Sequence, residues 1–226
     1  MIDCGAGAET ISGNGFDRLA RHYYWMECVL AGRTLQKCRT SFLDETRVAT
    51  TALLIGEGNG RFLTEFLKAN KRASVLCVDS SSRMLKLAAR RAGRLAGDRV
   101  RFVKADLLEP RDSQWQAGPF DLVVTHFFLD CFRPEQLDLI VRAIAEQASS
   151  GARWLLADFS VPADGFARLR AKAILWLAYA FFRIATGLPA KRITAPDSFL
   201  ERHGFALEKR IIREHGLLHS DLWRAS

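Results

Sequence analysis

Nowhere does this sequence stay apolar for the roughly 20 residues that a membrane-spanning helix needs. Its most apolar stretch is AKAILWLAYAFFRIATGL (171–188), and the uninterrupted part of it, 173–182, is too short. No basic segment followed by an apolar run precedes the folded part, so no secretory signal is expected. Residues 1–15 are rich in glycine and small side chains and read as a mobile tail. The cysteines, Cys4, Cys28, Cys38, Cys77 and Cys131, are odd in number and never spaced CxxC. That pattern excludes a disulfide framework and a zinc site, and it fits a reducing cytoplasm. Internal repeats and low-complexity tracts are missing as well. Lysine and arginine total 33 against 25 acids, a net charge of +8. Such an excess suits an anionic partner, either nucleic acid or a lipid surface. Without a dense Lys/Arg cluster it reads instead as the charge of a basic soluble enzyme.

What is present is an ordinary globular composition, 49% hydrophobic and 26% charged, in 226 residues. That length suits one domain with a sizeable core. From about residue 50 to 160, short β-rich runs alternate with helical patterns. TALLI (51–55) reads as a first strand and RFLTEFLKANK (61–71) as a helix, with Phe62, Leu63, Phe66 and Leu67 at helical spacing. ASVLCVD (73–79) is a second strand, followed by a helix over 80–93 with serine at its start and glycine at its end. RVRFVKAD (99–106), FDLVVTHFF (120–128) and ARWLLADF (152–159) supply three more strands. The helix before the last of these is expected to open at Pro134 and stop at Gly151. The strands lack polar/apolar alternation, as in a parallel sheet covered on both faces. The order βαβαβ predicts a doubly wound, mostly parallel α/β sheet. Residues 16–39 read as one or two helices, 171–188 as an apolar helix inserted after strand five, and 205–216 with 217–226 as a closing antiparallel pair.

In such a sheet the ligand lies at the carboxyl ends of the strands, near the first one. The loop there is Gly56-Glu57-Gly58-Asn59-Gly60. Glycines let a ligand rest on backbone with no Cβ in the way. The dinucleotide fingerprint G-x-G-x-x-G is not met, because the third glycine comes one residue early and Arg61 stands in its place. A ligand without phosphates suits this loop, although a plain strand-to-helix turn would look the same. Asp79 ends strand two, where an acid can accept both hydroxyls of a ribose. Asp106 ends strand three, placed to accept from an adenine amine, with Leu107 beside it to pack on the ring. An aspartate at a strand end is also an ordinary turn residue. Three such features at successive strand ends reinforce one another.

Together these residues resemble the motif series of class I S-adenosylmethionine (SAM)-dependent methyltransferases. ALLIGEGNGRFL (52–63) resembles the glycine motif, VLCVDSSSRML (75–85) the ribose motif, and RFVKADLLE (101–109) the adenine motif. GPFDLVVTHFFLDCF (118–132) resembles the fourth-strand motif bordering the methyl-transfer site. The resemblance covers roughly residues 16–160, and its N-terminal part looks closest to quinone and small-molecule methyltransferases. It implies a Rossmann-like, seven-stranded sheet with an antiparallel C-terminal strand. The implied divisions are a helical cap (16–48), a SAM-binding core (49–160), a substrate lid (161–204) and a closing strand pair (205–226). It also implies that Gly56, Glu57, Gly58, Gly60, Asp79, Ser80, Asp106, Leu107, Thr125 and Tyr24 bind the cofactor. One departure is Leu54, where the family usually has an acid that helps hold the methionine ammonium. Glu57 can supply that charge, or backbone carbonyls alone hold the ammonium.

Methyl transfer from a sulfonium is an in-line displacement, so positioning supplies much of the catalysis. A general base helps when the acceptor is a hydroxyl or an ammonium. His126 and Asp130, after strand four, are the candidates. Packing would equally explain His126, and a cap on the Pro134 helix would explain Asp130. Tyr23, Tyr24 and Trp25 either close over the sulfonium or pack in the core. The 171–188 helix is a lid over a small hydrophobic or amphipathic substrate, a peripheral membrane contact, or a homodimer interface. A nucleic-acid methyltransferase is the competing enzyme class, but the fourth strand ends in THFFLDCF and no RNA module is visible. A SAM-binding protein without activity is the third reading.

Overall fold

A computed structural model describes residues 32–109, 113–162 and 194–226. Its centre is one seven-stranded sheet: β1 (Thr51–Ile55), β2 (Ser74–Asp79), β3 (Val100–Lys104), β4 (Phe120–His126), β5 (Ala148–Phe159), β6 (Phe205–Arg213) and β7 (Leu218–Ala225). The spatial order is β3-β2-β1-β4-β5-β7-β6. β1 to β5 pair in parallel, whereas β7 runs antiparallel to both β5 and β6. The described helices are α1 (Gly32–Arg39), α2 (Arg61–Ala69), α3 (Ser82–Ala92), α4 (Pro134–Ala145) and α5 (Asp197–Arg202). The sheet is α/β, mixed and doubly wound, as the strand pattern predicts.

The apolar runs of β1, β2 and β4 are buried on both faces. On one face Leu54, Val124 and Leu155 pack under Phe62, Phe66 and Leu67 of α2 and Ala88 of α3. On the other, Leu53, Val123 and Leu156 meet Leu137, Ile140 and Ile144 of α4 and Leu200 of α5. Each fully buried Leu or Phe contributes about 1.5–3 kcal/mol relative to exposure. The ends opposite the glycine loop are tied by polar side chains. Asp121 accepts from the amides of Thr50 and Thr51 at 2.8 and 3.1 Å. Buried Asn70 donates to the carbonyls of Thr46 and Ala49 and accepts from the amides of Arg72 and Ala73, each within 2.9 Å.

Helix starts follow local chemistry. The Ser81 hydroxyl accepts from the Met84 amide at 3.2 Å to cap α3, which ends at Gly93. Pro134 opens α4. The expected stop of that helix at Gly151 is wrong. α4 ends at Ala145 and β5 begins at Ala148, with Gly151 (φ 71°) inside the strand where the β4–β5 register shifts. A glycine with positive φ serves an irregular strand as readily as a helix end. The expected helices over 16–31 and 171–188 lie outside the described residues.

Candidate active site

The chain leaves β1 outward to β2 and β3 and returns as β4 on the other side of β1, so a crevice opens between the β1 and β4 ends. The loop after β1 turns tightly there. Gly58 (φ 63°) and Gly60 (φ 80°) sit in the left-handed region. A Cβ on Gly60 would stand 2.7 Å from the Cα of Ala88, so this glycine lets α2 and α3 touch. A Cβ on Gly58 would meet no described atom within 4 Å. The exposed side of that residue is bare backbone facing open space.

Asp79 is joined directly to this loop. One carboxylate oxygen accepts from the Gly58 amide at 3.1 Å and the other from the Ser81 amide at 2.8 Å. A carboxylate offers about four acceptor sites. The Asp79 carbonyl accepts from the Ala105 amide at 3.2 Å, which brings the next residue, Asp106, to the same edge. Asp106 is exposed and its Oδ1 accepts from the Leu108 amide at 3.0 Å. Leu107 is half-buried beside the second core, and Ser80 is half-buried next to Asp79. Adjacent strands are about 4.8 Å apart, so the ends of β1, β2 and β3 span about 10 Å, the scale of one nucleoside. An open glycine face, a ribose-type carboxylate and an amine-accepting carboxylate therefore lie in series, and they fit an adenosyl group.

Glu57 points the other way. Its Oε1 accepts from the Leu63 amide at 2.9 Å and so caps α2, whose N-cap residue, Gly60, has no side chain to do it. Burial pushes its pKa up to about 7, against the pull of the Leu63 amide and of Arg39. Arg39, from α1, is buried and lies 5.0 Å over the ring of Phe127, a residue held at φ 54°. Sequence reasoning missed Arg39, which the N-terminal helix delivers across more than 80 residues of chain.

His126 is buried, edge-on to Phe62 with ring centroids 4.6 Å apart. Burial, and then the charge of Arg39, push its pKa down to about 3. Its Nδ1 has no partner among the described residues. Such an imidazole is neutral at physiological pH and a weak proton acceptor. The Thr125 hydroxyl accepts from the Trp154 indole at 2.8 Å, on the α4 side of the sheet. In the β1–β4 register Thr125 pairs with Ile55, the residue before the glycine loop. Tyr24 lies outside the described residues.

Asp130 does not cap the Pro134 helix; the Arg133 amide there donates to Gln136 at 3.2 Å. Asp130 is instead buried beside Asp158 at the end of β5, whose Oδ2 accepts from the Asp130 amide at 3.2 Å. Burial raises both carboxyls, Asp158 well above the usual range because the neighbouring Asp130 charge adds to the effect. Asp158 and Asp221 carry no motif in the sequence, and His219, in the terminal strands, reads there as structural. The available signal was an acid at the end of strand five, matching the acid at the end of strand two.

Residues 53–154 match a family model described as a methyltransferase domain. No curated protein matches the chain. Among solved structures, the chain is similar to an O-methyltransferase family protein from Burkholderia thailandensis, at 16% identity and TM-score 0.70. That match covers 92% of this chain and 59% of that one. An O-methyltransferase family 2 protein from Planctomyces limnophilus, in complex with apigenin, aligns at 18% identity and TM-score 0.66, covering 92% of this chain and 62% of that one. The N-methyltransferase NodS from Bradyrhizobium japonicum, in complex with S-adenosylhomocysteine, aligns at 14% identity and TM-score 0.61, covering 87% and 90%. The chain thus spans about three-fifths of the length of the O-methyltransferases it matches.

Proposed function

From the site's geometry and the match of residues 53–154 to a methyltransferase-domain model, we propose that this protein is a class I SAM-dependent methyltransferase that transfers a methyl group from SAM to an O, N or C atom of a small, partly apolar acceptor. The observation that carries this reading is the contiguity of the three strand ends, through the Gly58–Asp79 and Asp79–Ala105 hydrogen bonds. In this reading Gly58 gives the cofactor a side-chain-free surface, Gly56 and Gly60 hold the loop's turn tight against Phe128 and Ala88 so that its backbone can line the cofactor, Asp79 with Ser80 holds the ribose, and Asp106 with Leu107 holds the adenine. Bound SAM supplies an electrophilic methyl on a sulfonium, whose displacement needs alignment more than acid–base help. Asp130 is the favoured proton acceptor, since the low basicity of His126 suits it to shaping the wall beside Phe62 instead. Glu57 acts through α2, holding the loop in its turn.

The acceptor class draws support from the structural neighbours, which include O- and N-methyltransferases and, in one case, a complex with apigenin. The three described cysteines are free, which suits a cytoplasmic setting. No described helix is long and apolar enough to cross a membrane. Peripheral membrane contact and a homodimer stay with the 171–188 segment as proposals. Isothermal titration with S-adenosylhomocysteine tests the reading. Binding is expected, and Asp79→Asn should weaken it at least tenfold, because a hydroxyl-accepting carboxylate is lost. Wild-type protein that binds neither SAM nor S-adenosylhomocysteine refutes it.

A further inference from the structure

Residues 71–104 hold ten basic side chains and two acids, so this one segment carries the whole of the net charge of +8. No unbroken basic run marks it in the sequence, because apolar residues separate the charges. The fold gathers them. α3 turns Met84, Leu85, Ala88 and Ala92 inward. That leaves Arg83, Lys86 and Arg90, three and four residues apart, exposed on one line of its outer surface. Arg94 is exposed just past the end of the helix.

Neighbouring elements extend the line at both ends. Lys104 closes the edge strand β3, opposite Asp79 in the β2–β3 register. It follows Phe102 by two residues, and Phe102 packs against the core that α3 covers, so Lys104 stands on the α3 side of the sheet. At the other end, the Arg99 guanidinium donates to the carbonyls of Asn70 and Ala73, each at 3.3 Å, and to that of Leu95 at 3.1 Å. These bonds tie the turn bearing exposed Arg72 to the chain that leaves α3. Among the described residues, Lys86, Arg90, Arg94 and Lys104 form no ion pair. Like charges held in a row repel one another, and a row of anions relieves that cost.

We propose that this line, from Lys104 along α3 to Arg94 and Arg72, is a docking track for the phosphate backbone of a nucleic acid. Charge complementarity selects an anionic partner and excludes a second copy of this chain, which would bring the same sign to the face. Arginine outnumbers lysine along the track, and its planar fork takes two phosphate oxygens at once. A helix that lies on a lipid surface pairs its basic face with protruding apolar side chains. Here the exposed large apolar residues are Val48, Leu139, Val161, Leu207 and Ile212, none of them on α3 or β3. A narrow line also fits a strand better than a plane. β3 lies three strands from β4, about 14 Å, so the nucleic acid runs beside the crevice and leaves it open to a small acceptor. The track therefore stands independently of the methyltransferase reading.

Fluorescence anisotropy with a labelled single-stranded RNA of roughly 20 nucleotides, read over a salt series, tests the track. Each phosphate neutralised on a single strand adds about 0.7 to the steepness of log affinity against log salt. Six contacts give a slope of about −4, and an affinity that falls about two-hundredfold between roughly 50 and 200 mM salt. The double variant Lys86→Gln with Arg90→Gln should bind more weakly and flatten the slope by about 1.4. Arg142→Gln, an exposed arginine of α4 on the opposite face of the sheet, should keep the wild-type slope. Poly-glutamate matched in charge should displace the RNA far less well than unlabelled RNA does. Wild-type protein that leaves the RNA free at about 50 mM salt overturns the proposal, as does a double variant with the wild-type slope. Equal displacement by poly-glutamate overturns the phosphate assignment, and so does binding to phosphatidylserine vesicles in preference to RNA. S-adenosylhomocysteine takes no part in these measurements, so their outcome and that of the calorimetry on the cofactor site are separate.

Discussion

Glu57→Gln isolates the cost of placing a carboxyl under the glycine loop. In the folded protein the Glu57 pKa rises from 4.5 to about 7. The folded chain therefore keeps a proton that the unfolded chain releases between about pH 4.5 and pH 7. Where the unfolded state binds fewer protons, stability falls as pH rises. At about 1.4 kcal/mol per pH unit, the wild type gives up about 3 kcal/mol across that window. Glutamine keeps an oxygen for the Leu63 amide and has nothing to ionise. The variant should match the wild type at about pH 4 and exceed it by up to about 3 kcal/mol at about pH 8. Urea unfolding at a series of pH values measures the difference, provided the slopes of the transitions agree. A stability difference independent of pH would refute the reasoning. So would a variant less stable than wild type at pH 8, since that would make the Arg39 attraction larger than the burial cost.

Other substitutions probe separate claims. Gly60→Ala must adopt a positive φ and displace the backbone of α3, so thermal denaturation should show a loss of more than about 2 kcal/mol. Thr125→Val leaves the buried Trp154 indole unpaired and should cost about 1–3 kcal/mol in urea unfolding. His126→Phe removes a group whose pKa falls from 6.5 to about 3 on folding. The wild type loses that contribution as pH drops from about 6.5 to 3, so the variant should show a flatter acid-unfolding curve by circular dichroism.

Much of the site is written locally. β1 is the run TALLI, a threonine and four apolar residues, the glycine loop follows at once, and Asp79 closes the next strand. Parallel-sheet strands must be apolar throughout and ligand-facing residues must sit at their ends, so both are visible in one dimension. The boundary between α4 and β5 was not legible, because Gly151 carries the same chemistry at an irregular strand as at a helix end. Nor was the direction of Glu57: the same loop position can face a ligand or the start of α2, and only packing decides. The Asp130, Asp158 and His219 group is assembled from three distant segments, joined by the register of β5 with β7. His219 and Asp221, two apart on one face of a strand, and the acid ending strand five were its local hints.

The position of β7 has a consequence for how the protein is made. Of the described strands this one comes last, yet it is wedged between β5 and β6 rather than added at an edge. A nascent chain still lacking residues 218–225 has β5 paired only with β4 on one edge, and β6 has no strand partner. Synthesis must run through Ala225 before the sheet can zip shut. A ribosome that stalls a few codons earlier releases a sticky intermediate for chaperones and proteases, not a weakened enzyme.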